Sequence, residues 1–112
     1  PEDVFAEFES FYNSVKEKLP KTVVFAISIQ PSPSRFDQRS RQQKWNELVR
    51  NLARVEDNLV FVDVSPPMLS ADGKPRSELY TEDMLHMNKE GYKIWTKLVR
   101  ENLKEYFPDD FL

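Results

Sequence analysis

Two short segments constrain the fold of this chain more than any other feature. "TVVFAISI" (residues 22–29) and "NLVFVDVS" (residues 58–65) are dominated by β-branched and aromatic residues. A strand that is apolar on both faces belongs inside a covered, parallel sheet, because helices lie over both of its sides. We therefore predict two parallel strands. Pro66 and Pro67 are predicted to end the second strand.

Three segments with helical periodicity alternate with these strands. The first has one broad apolar face from Val4 to Leu19 and is predicted to end at Pro20. The second is predicted over residues 40–55, with Trp45 on its apolar side, and the third follows Asn88, a typical N-cap residue. The segments "QPSPSRFDQRSRQQ" (residues 30–43), which overlaps the start of the second helix, and "MLSADGKPRSELYTEDMLH" (residues 68–86) are predicted to be long loops. This order predicts an α/β fold with right-handed crossovers.

Two strands are too few for the complete architecture that this order implies. We predict part of a three-layer α/β/α, flavodoxin-like parallel sheet that lacks its N-terminal strands. Pro1, Glu2 and Asp3 suit the first turn of a helix, yet a capping residue and an initiator methionine are both missing before them. The chain is therefore expected to begin inside a larger protein, with an engineered start as the alternative. Residues 1–112 are predicted to be the C-terminal portion of a single domain.

The composition argues against several classes of function. The net charge of −3 gives no general attraction to nucleic acid or to anionic membranes, and no apolar run approaches the ~20 residues that span a bilayer. Cysteine is absent and there is a single histidine, which leaves mainly carboxylates as metal ligands. We therefore predict no nucleic-acid partner, no membrane partner, no metal and no cofactor. The compartment is not predicted.

The single histidine, His86, is the candidate catalytic residue. It lies in "TEDMLHMNKEGYKIW" (residues 81–95), three positions after Asp83. In open α/β sheets the ligand site lies beyond the carboxyl ends of the strands, and both long loops leave from those ends. Imidazole is suited to general acid–base catalysis because it titrates near neutral pH, and a carboxylate can orient it. The alternative is a solvated polar loop with no catalytic role.

The same stretch resembles the last conserved block of the GDSL-type, or SGNH, hydrolases. Lys89 stands where family members often have proline; the matching positions are Asp83, His86, Met87, Asn88 and the pair Gly91-Tyr92. "VVFAISIQPSPSR" is similar to the family's fourth strand and the proline-containing loop that follows it. The resemblance covers nearly the whole chain and implies a serine esterase, or lipase/acylhydrolase, of which only the C-terminal part is present.

The resemblance implies a role for each matching residue. His86 is the general base and Asp83 its orienting carboxylate, while Asn88 and Gly91 support the loop at the start of the last helix. The family's nucleophilic serine lies in an upstream Gly-Asp-Ser block that is missing here, as are the blocks that complete the oxyanion hole. The isolated chain is therefore predicted to be inactive. The implied substrates are small acyl esters, with acetylated carbohydrate as one candidate.

The sequence also admits other interpretations. The chain is alternatively a non-catalytic half-domain that associates through an open sheet edge, with itself or with the N-terminal half of the same protein. A basic cluster could meet an anionic substrate, although a solvated helix face is its usual meaning; it comprises Arg35, Arg39, Arg41 and Lys44. A phosphate-handling regulator is disfavoured because the chain has no glycine-rich phosphate loop. Replacement of the missing nucleophile by another serine is also disfavoured.

Overall fold

The computed structural model describes residues 2–107 of the chain. Two parallel strands alternate with helices, so the predicted α/β class is confirmed. The elements in chain order are α1 (Glu2–Lys18), β1 (Val24–Ile27), α2 (Arg39–Val55), β2 (Leu59–Val62), α3 (Ser65–Met68) and α4 (Lys89–Tyr106). Pro1, predicted as the first helical residue, lies outside the described residues.

The chain divides into two compact units. The first unit contains residues 2–29 and 38–61, and therefore α1, β1, α2 and most of β2. Its core is built around four buried residues, with further apolar side chains packed against them. These four are Tyr12, Ala26, Val49 and Leu59. The rings of Phe8 and Trp45 meet edge to face with their centroids 5.9 Å apart, which joins the apolar faces of α1 and α2.

The second unit contains residues 30–37 and 62–107, including both α3 and α4. Its buried side chains come largely from the segments that precede α4. They include Val64, Met68, Leu79, Tyr80 and Met87. Helix α4 packs against α3 and against a 3₁₀ helix at Ser77–Leu79. This unit holds the whole segment in which the candidate catalytic residues lie.

The boundaries differ from the sequence prediction at the prolines. β2 ends at Val62, three residues before Ser65 and four before Pro66, so the prolines do not end the strand. Instead, they occupy the first turn of α3, where a proline's fixed φ is favourable and its missing N–H costs nothing. A 3₁₀ helix at Pro33–Gln38 likewise begins with proline inside a segment predicted to be a loop. Proline disfavours the interior of a helix but not its first turn.

The strands are also shorter than predicted. β1 covers four of the eight residues in the predicted strand, and β2 likewise covers four. Each strand has a single neighbouring strand in the part of the chain that the structure describes. Within residues 2–107, none of the helices is long and apolar enough to cross a membrane.

Candidate active site

The candidate site is carried by one loop, residues 80–88, which we call the site loop. An antiparallel bridge between Tyr80 and Met87 closes its base, and the Thr81 amide donates to the His86 carbonyl at 2.8 Å. The Asp83 and His86 side chains meet above this base, with Oδ2 of Asp83 2.6 Å from Nδ1 of His86. The two predicted catalytic residues are therefore in direct contact.

The other carboxylate oxygen of Asp83 is held by three donors. Oδ1 accepts hydrogen bonds from the Thr81 hydroxyl at 2.7 Å, from the Leu85 amide at 2.9 Å and from the His86 amide at 3.0 Å. The pKa of Asp83 is held far below its usual range. The largest cause is the hydrogen bond with the His86 ring, followed by the bonds from the amides of His86 and Leu85 and then from the Thr81 hydroxyl. Asp83 is consequently a carboxylate at every pH of physiological interest.

The arrangement determines which ring nitrogen of His86 can take up a proton. A carboxylate accepts hydrogen bonds and donates none, so the neutral imidazole facing Asp83 carries its proton on Nδ1. Nε2 then has a free lone pair. Within residues 2–107, no group hydrogen-bonds to Nε2, and the His86 side chain is 72% exposed. The ring is thus oriented by its neighbour and open at the nitrogen that can act as a base.

Asn88 and Gly91 fix the junction between the site loop and α4. The Asn88 side chain caps the helix by accepting from the amides of Glu90 and Gly91 at 3.0 and 3.1 Å. Its amide nitrogen donates in the opposite direction, to the carbonyls of Glu78 and Tyr80. One side chain therefore joins the first turn of α4 to the start of the site loop.

The backbone of Leu79 approaches α4 closely at Gly91. A Cβ atom at this position would stand 2.6 Å from the carbonyl oxygen of Leu79, and 3.0 Å from Cβ of Met87. The Leu79 carbonyl also accepts a hydrogen bond from the backbone amide of Asn88 at 2.9 Å. Glycine is required here by the lack of space and not by its own backbone conformation.

A second segment of the same unit supports the site loop from the side. The Gln30 side chain donates to the Leu85 carbonyl at 3.1 Å, and the Ser34 amide donates to the Met84 carbonyl at 2.9 Å. The buried Tyr80 hydroxyl donates to the Pro31 carbonyl at 3.0 Å. The proline-containing segment therefore holds the two residues between Asp83 and His86, and it also holds Tyr80 at the base of the site loop.

Met84, which lies between Asp83 and His86, has a φ of +56°. This left-handed conformation is unfavourable for a residue with a side chain, by roughly 1–2 kcal/mol. It is maintained by hydrogen bonds on both sides, because the Met84 amide donates to the Thr81 carbonyl and its own carbonyl accepts from Ser34. Strain of this kind is common at functional sites, where the surrounding contacts enforce it.

Sequence reasoning did not find Gln30, Thr81 or the backbone of Met84. Gln30 is 55 residues from the carbonyl to which it donates, and its sequence neighbourhood gives no signal for that contact. Thr81 does have a local signal, because a hydroxyl residue two positions before an aspartate can hydrogen-bond to it within a turn. Methionine is not enriched at positive φ, so the sequence carries no indication of the strain at Met84.

The structure also places other polar residues that the sequence singled out. Arg39 of the basic cluster is buried in the first unit, where it donates to the Ile29 carbonyl and to Gln42. It therefore does not belong to a solvated cationic face with Arg41 and Lys44. Ser28, Ser32 and Ser65 are buried. Among residues 2–107, no group of three or more histidine, cysteine, aspartate or glutamate side chains could hold a metal ion.

Comparison with known families identifies the class of protein. The model of the GDSL-like lipase/acylhydrolase family matches residues 1–94. The chain belongs to this family. A comparison with curated proteins finds no match.

Solved structures agree with membership of the GDSL-like family. A Streptococcus pneumonia protein described as a proposed platelet activating factor is 26% identical, with a TM-score of 0.78, over 91% of this chain and 51% of its own. A GDSL-like lipase from Bacteroides thetaiotaomicron is 27% identical, with a TM-score of 0.67, over 96% of this chain and 54% of its own. An acylhydrolase proposed in Bacteroides fragilis shares the fold at 22% identity and a TM-score of 0.77, over 94% of this chain and 52% of its own.

The GDSL-like chain described here thus spans about half the length of the solved structures that it matches. The family assignment agrees with the resemblance of residues 81–95 to the last conserved block of the GDSL-type hydrolases. The family that the model describes is one of lipases and acylhydrolases.

Proposed function

We propose that this chain is the C-terminal portion of a serine ester hydrolase, to which it supplies the general base and its orienting carboxylate. The nucleophilic serine is supplied by polypeptide upstream of these residues. One observation carries the proposal: Nδ1 of His86 faces Oδ2 of Asp83 at 2.6 Å while Nε2 is open. Family membership favours ester hydrolysis over other uses of such a pair.

In the proposed mechanism, Nε2 of His86 removes the proton from the serine hydroxyl as that oxygen attacks the ester carbonyl. The imidazolium that forms is stabilised by Asp83, whose lowered pKa keeps it ionised next to the ring. The imidazolium then protonates the departing alcohol, which leaves an acyl-serine. In the second half of the reaction His86 activates water in the same way, and the acid product leaves. No cofactor takes part.

The substrates proposed for the complete protein are esters of small acyl groups, including acetyl groups on carbohydrate. The Asp83 and His86 side chains are 48% and 72% exposed, so residues 2–107 do not enclose them in an acyl pocket. The remaining walls, and with them the acyl specificity, are assigned to the polypeptide that completes the domain. The 112 residues by themselves are proposed to be inactive.

The test is ester hydrolysis by the full-length natural protein, with an acetyl ester as substrate. We expect His86→Ala to lower kcat/KM by about four orders of magnitude or more, and Asp83→Asn by about 10⁴-fold. Glu82→Gln, a change of an exposed neighbour in the same loop, is the matched control and should retain native activity. Native activity in His86→Ala would rule the proposal out. Hydrolysis by the isolated chain that His86→Ala abolishes would show that the nucleophile lies within these residues.

We propose as a second candidate that this half-domain acts as a non-catalytic interaction module. An apolar surface favours it: Tyr92, Thr96, Val99 and Leu103, which we call the open face of α4, line a groove of about 380 Å³ together with Trp95 and Arg100. Tyr92 is 55% exposed. The single neighbour of each strand also favours association through a sheet edge, with the N-terminal half or with a second copy.

Charge beside the open face indicates the chemistry of such a partner. Four cationic side chains adjoin Tyr92 and Thr96, and they line a second shallow groove of about 600 Å³. They are Lys89, Lys93, Lys97 and Arg100. A partner segment with an apolar face bordered by carboxylates is complementary to this surface. Sedimentation of the isolated chain tests self-association, and strictly monomeric behaviour across the accessible concentration range would exclude the second-copy form.

A further inference from the structure

The carboxylate of Asp83 can orient His86 only while its own orientation is fixed. A partial rotation of the carboxylate about its bond to Cβ would turn Oδ2 out of line with Nδ1 of His86. Three hydrogen bonds to Oδ1 oppose this rotation. Two of them come from backbone amides of the site loop, and one comes from a side chain, the hydroxyl of Thr81.

Thr81 is itself held firmly by the site loop. Its amide donates to the His86 carbonyl at 2.8 Å, and its carbonyl accepts from the Met84 amide at 2.9 Å. The backbone on both sides of the hydroxyl is therefore fixed relative to the catalytic pair. At 2.7 Å, the Thr81–Asp83 contact is the shortest of the three hydrogen bonds to Oδ1. A hydrogen bond to a charged group is also stronger than one between neutral groups.

We propose that Thr81 is a positioning residue for the catalytic pair: its hydroxyl fixes the Asp83 carboxylate so that Oδ2 remains directed at Nδ1 of His86. Thr81 acts through Asp83 and does not touch the reacting atoms. The consequence falls on the imidazole, since the Nδ1–H tautomer predominates only while a carboxylate oxygen is aligned with Nδ1. The inference rests on the proposed role of the Asp83–His86 pair in catalysis.

The composition of the chain makes this tautomer directly measurable. His86 is the single histidine among 112 residues, so its ring nitrogens give the imidazole signals in ¹⁵N NMR without further assignment. The shifts of Nδ1 and Nε2 in the neutral ring report which nitrogen carries the proton. The measurement needs neither substrate nor nucleophile. Failure of this inference is therefore distinguishable from failure of the esterase proposal, which the kcat/KM measurements decide.

The experiment compares the native chain with Thr81→Val, which keeps the shape of the side chain, and with Thr81→Ser, which keeps the hydroxyl. We expect the Nδ1–H form to predominate in the native chain and in Thr81→Ser, and to lose that predominance in Thr81→Val. A purely structural role for Thr81 would lower thermal stability without changing the tautomer ratio. Thr81 is exposed, so Thr81→Val should fold, and backbone amide spectra verify this.

Two results would overturn the inference. One is a tautomer ratio in Thr81→Val that equals the ratio in the native chain. This would mean that the amides of Leu85 and His86 hold the Asp83 carboxylate without the hydroxyl. The other is a ratio in Thr81→Ser that matches Thr81→Val, which would assign the effect to the methyl group. If Thr81→Val does not fold, Thr81→Ala takes its place, with the same expected loss of the Nδ1–H form and the same contradicting result.

Discussion

The site loop and the open face of α4 lie in the same compact unit, yet they differ in how far their residues have partners within this chain. In the site loop, both oxygens of Asp83 have partners, and the backbone is braced by Gln30 and Ser34. The open face presents Tyr92 and neighbouring apolar residues to solvent along a shallow groove. The difference indicates that the geometry of the Asp83–His86 contact is set by residues of this chain, whereas the open face of α4 has fewer partners within it.

The largest effect on stability is expected where the two regions meet, at Gly91. Gly91→Ala would place a methyl group 2.6 Å from the Leu79 carbonyl, so α4 has to move away from the 3₁₀ helix at Ser77–Leu79. We expect a loss of about 2–3 kcal/mol in the free energy of unfolding, in spite of the higher helix propensity of alanine. Denaturant unfolding of the isolated chain measures it. Thr96→Ala, an exposed position on the same helix, is the control, and equal effects of the two changes would contradict the close packing.

A smaller effect of opposite sign is expected from the strained residue of the site loop. Met84→Gly removes the cost of a left-handed backbone, which the greater freedom of glycine in the unfolded chain offsets in part. We expect the free energy of unfolding to rise by about 0.5–1 kcal/mol. Gly73→Ala is the reciprocal control: Gly73 has a φ of +80° and open space around it, so a loss of about 1 kcal/mol is expected. Destabilisation by Met84→Gly would show that the Met84 side chain contributes more than its conformation costs.

A substitution in the open face of α4 should affect association with a partner and leave the free energy of unfolding almost unchanged. Tyr92→Ser should change the free energy of unfolding by less than about 0.5 kcal/mol, because the side chain is more than half exposed. Association with a second copy or with the N-terminal half should weaken by about tenfold, because buried tyrosines are frequent anchors of interfaces. Glu101→Ala on the same helix is the control for both measurements. A large loss of stability in Tyr92→Ser would mean that the face is already covered within this chain.

The smallest expected effect is the dependence of stability on pH that arises from Asp83. Its pKa is lower in the folded chain than the ordinary value of about 3.9. The stabilisation is therefore fully present above about pH 4 and is lost as the pH falls through the lower pKa of the folded state. The difference in unfolding free energy between the native chain and Asp83→Asn should shrink as the pH falls from 5 to 2. A difference that grows on acidification would contradict the lowered pKa.

The sequence predicts those features that depend on local chemistry. Asn88 was predicted as a helix cap because asparagine accepts hydrogen bonds from the first free amides, and its side chain does so here. Periodicity likewise predicted a helix after Asn88, and α4 begins there. Periodicity identifies which side of a helix is apolar but not what covers it, so the exposure of Tyr92 could not be predicted.

Features that depend on distant contacts or on compensated strain were not predictable. Gln30 meets the site loop only through the tertiary fold, and Met84 adopts a conformation that its residue type disfavours. The prolines at positions 66 and 67 were misread because their effect depends on whether they fall inside an element or at its start. The Asp83–His86 pair could be proposed because the two residues lie three positions apart and match the family's final block, whereas the Thr81 hydrogen bond to the same carboxylate was not predicted.

The most direct test of the central claim is a double-mutant cycle on kcat/KM in the full-length protein, with Asp83→Asn, His86→Gln and the two changes combined. If one carboxylate acts only through one imidazole, the combined variant should lose no more activity than His86→Gln alone, since residues that act as a unit are strongly non-additive. Losses that multiply, so that the combined variant is impaired by the product of the two single effects, would show that Asp83 and His86 act independently and would contradict the account.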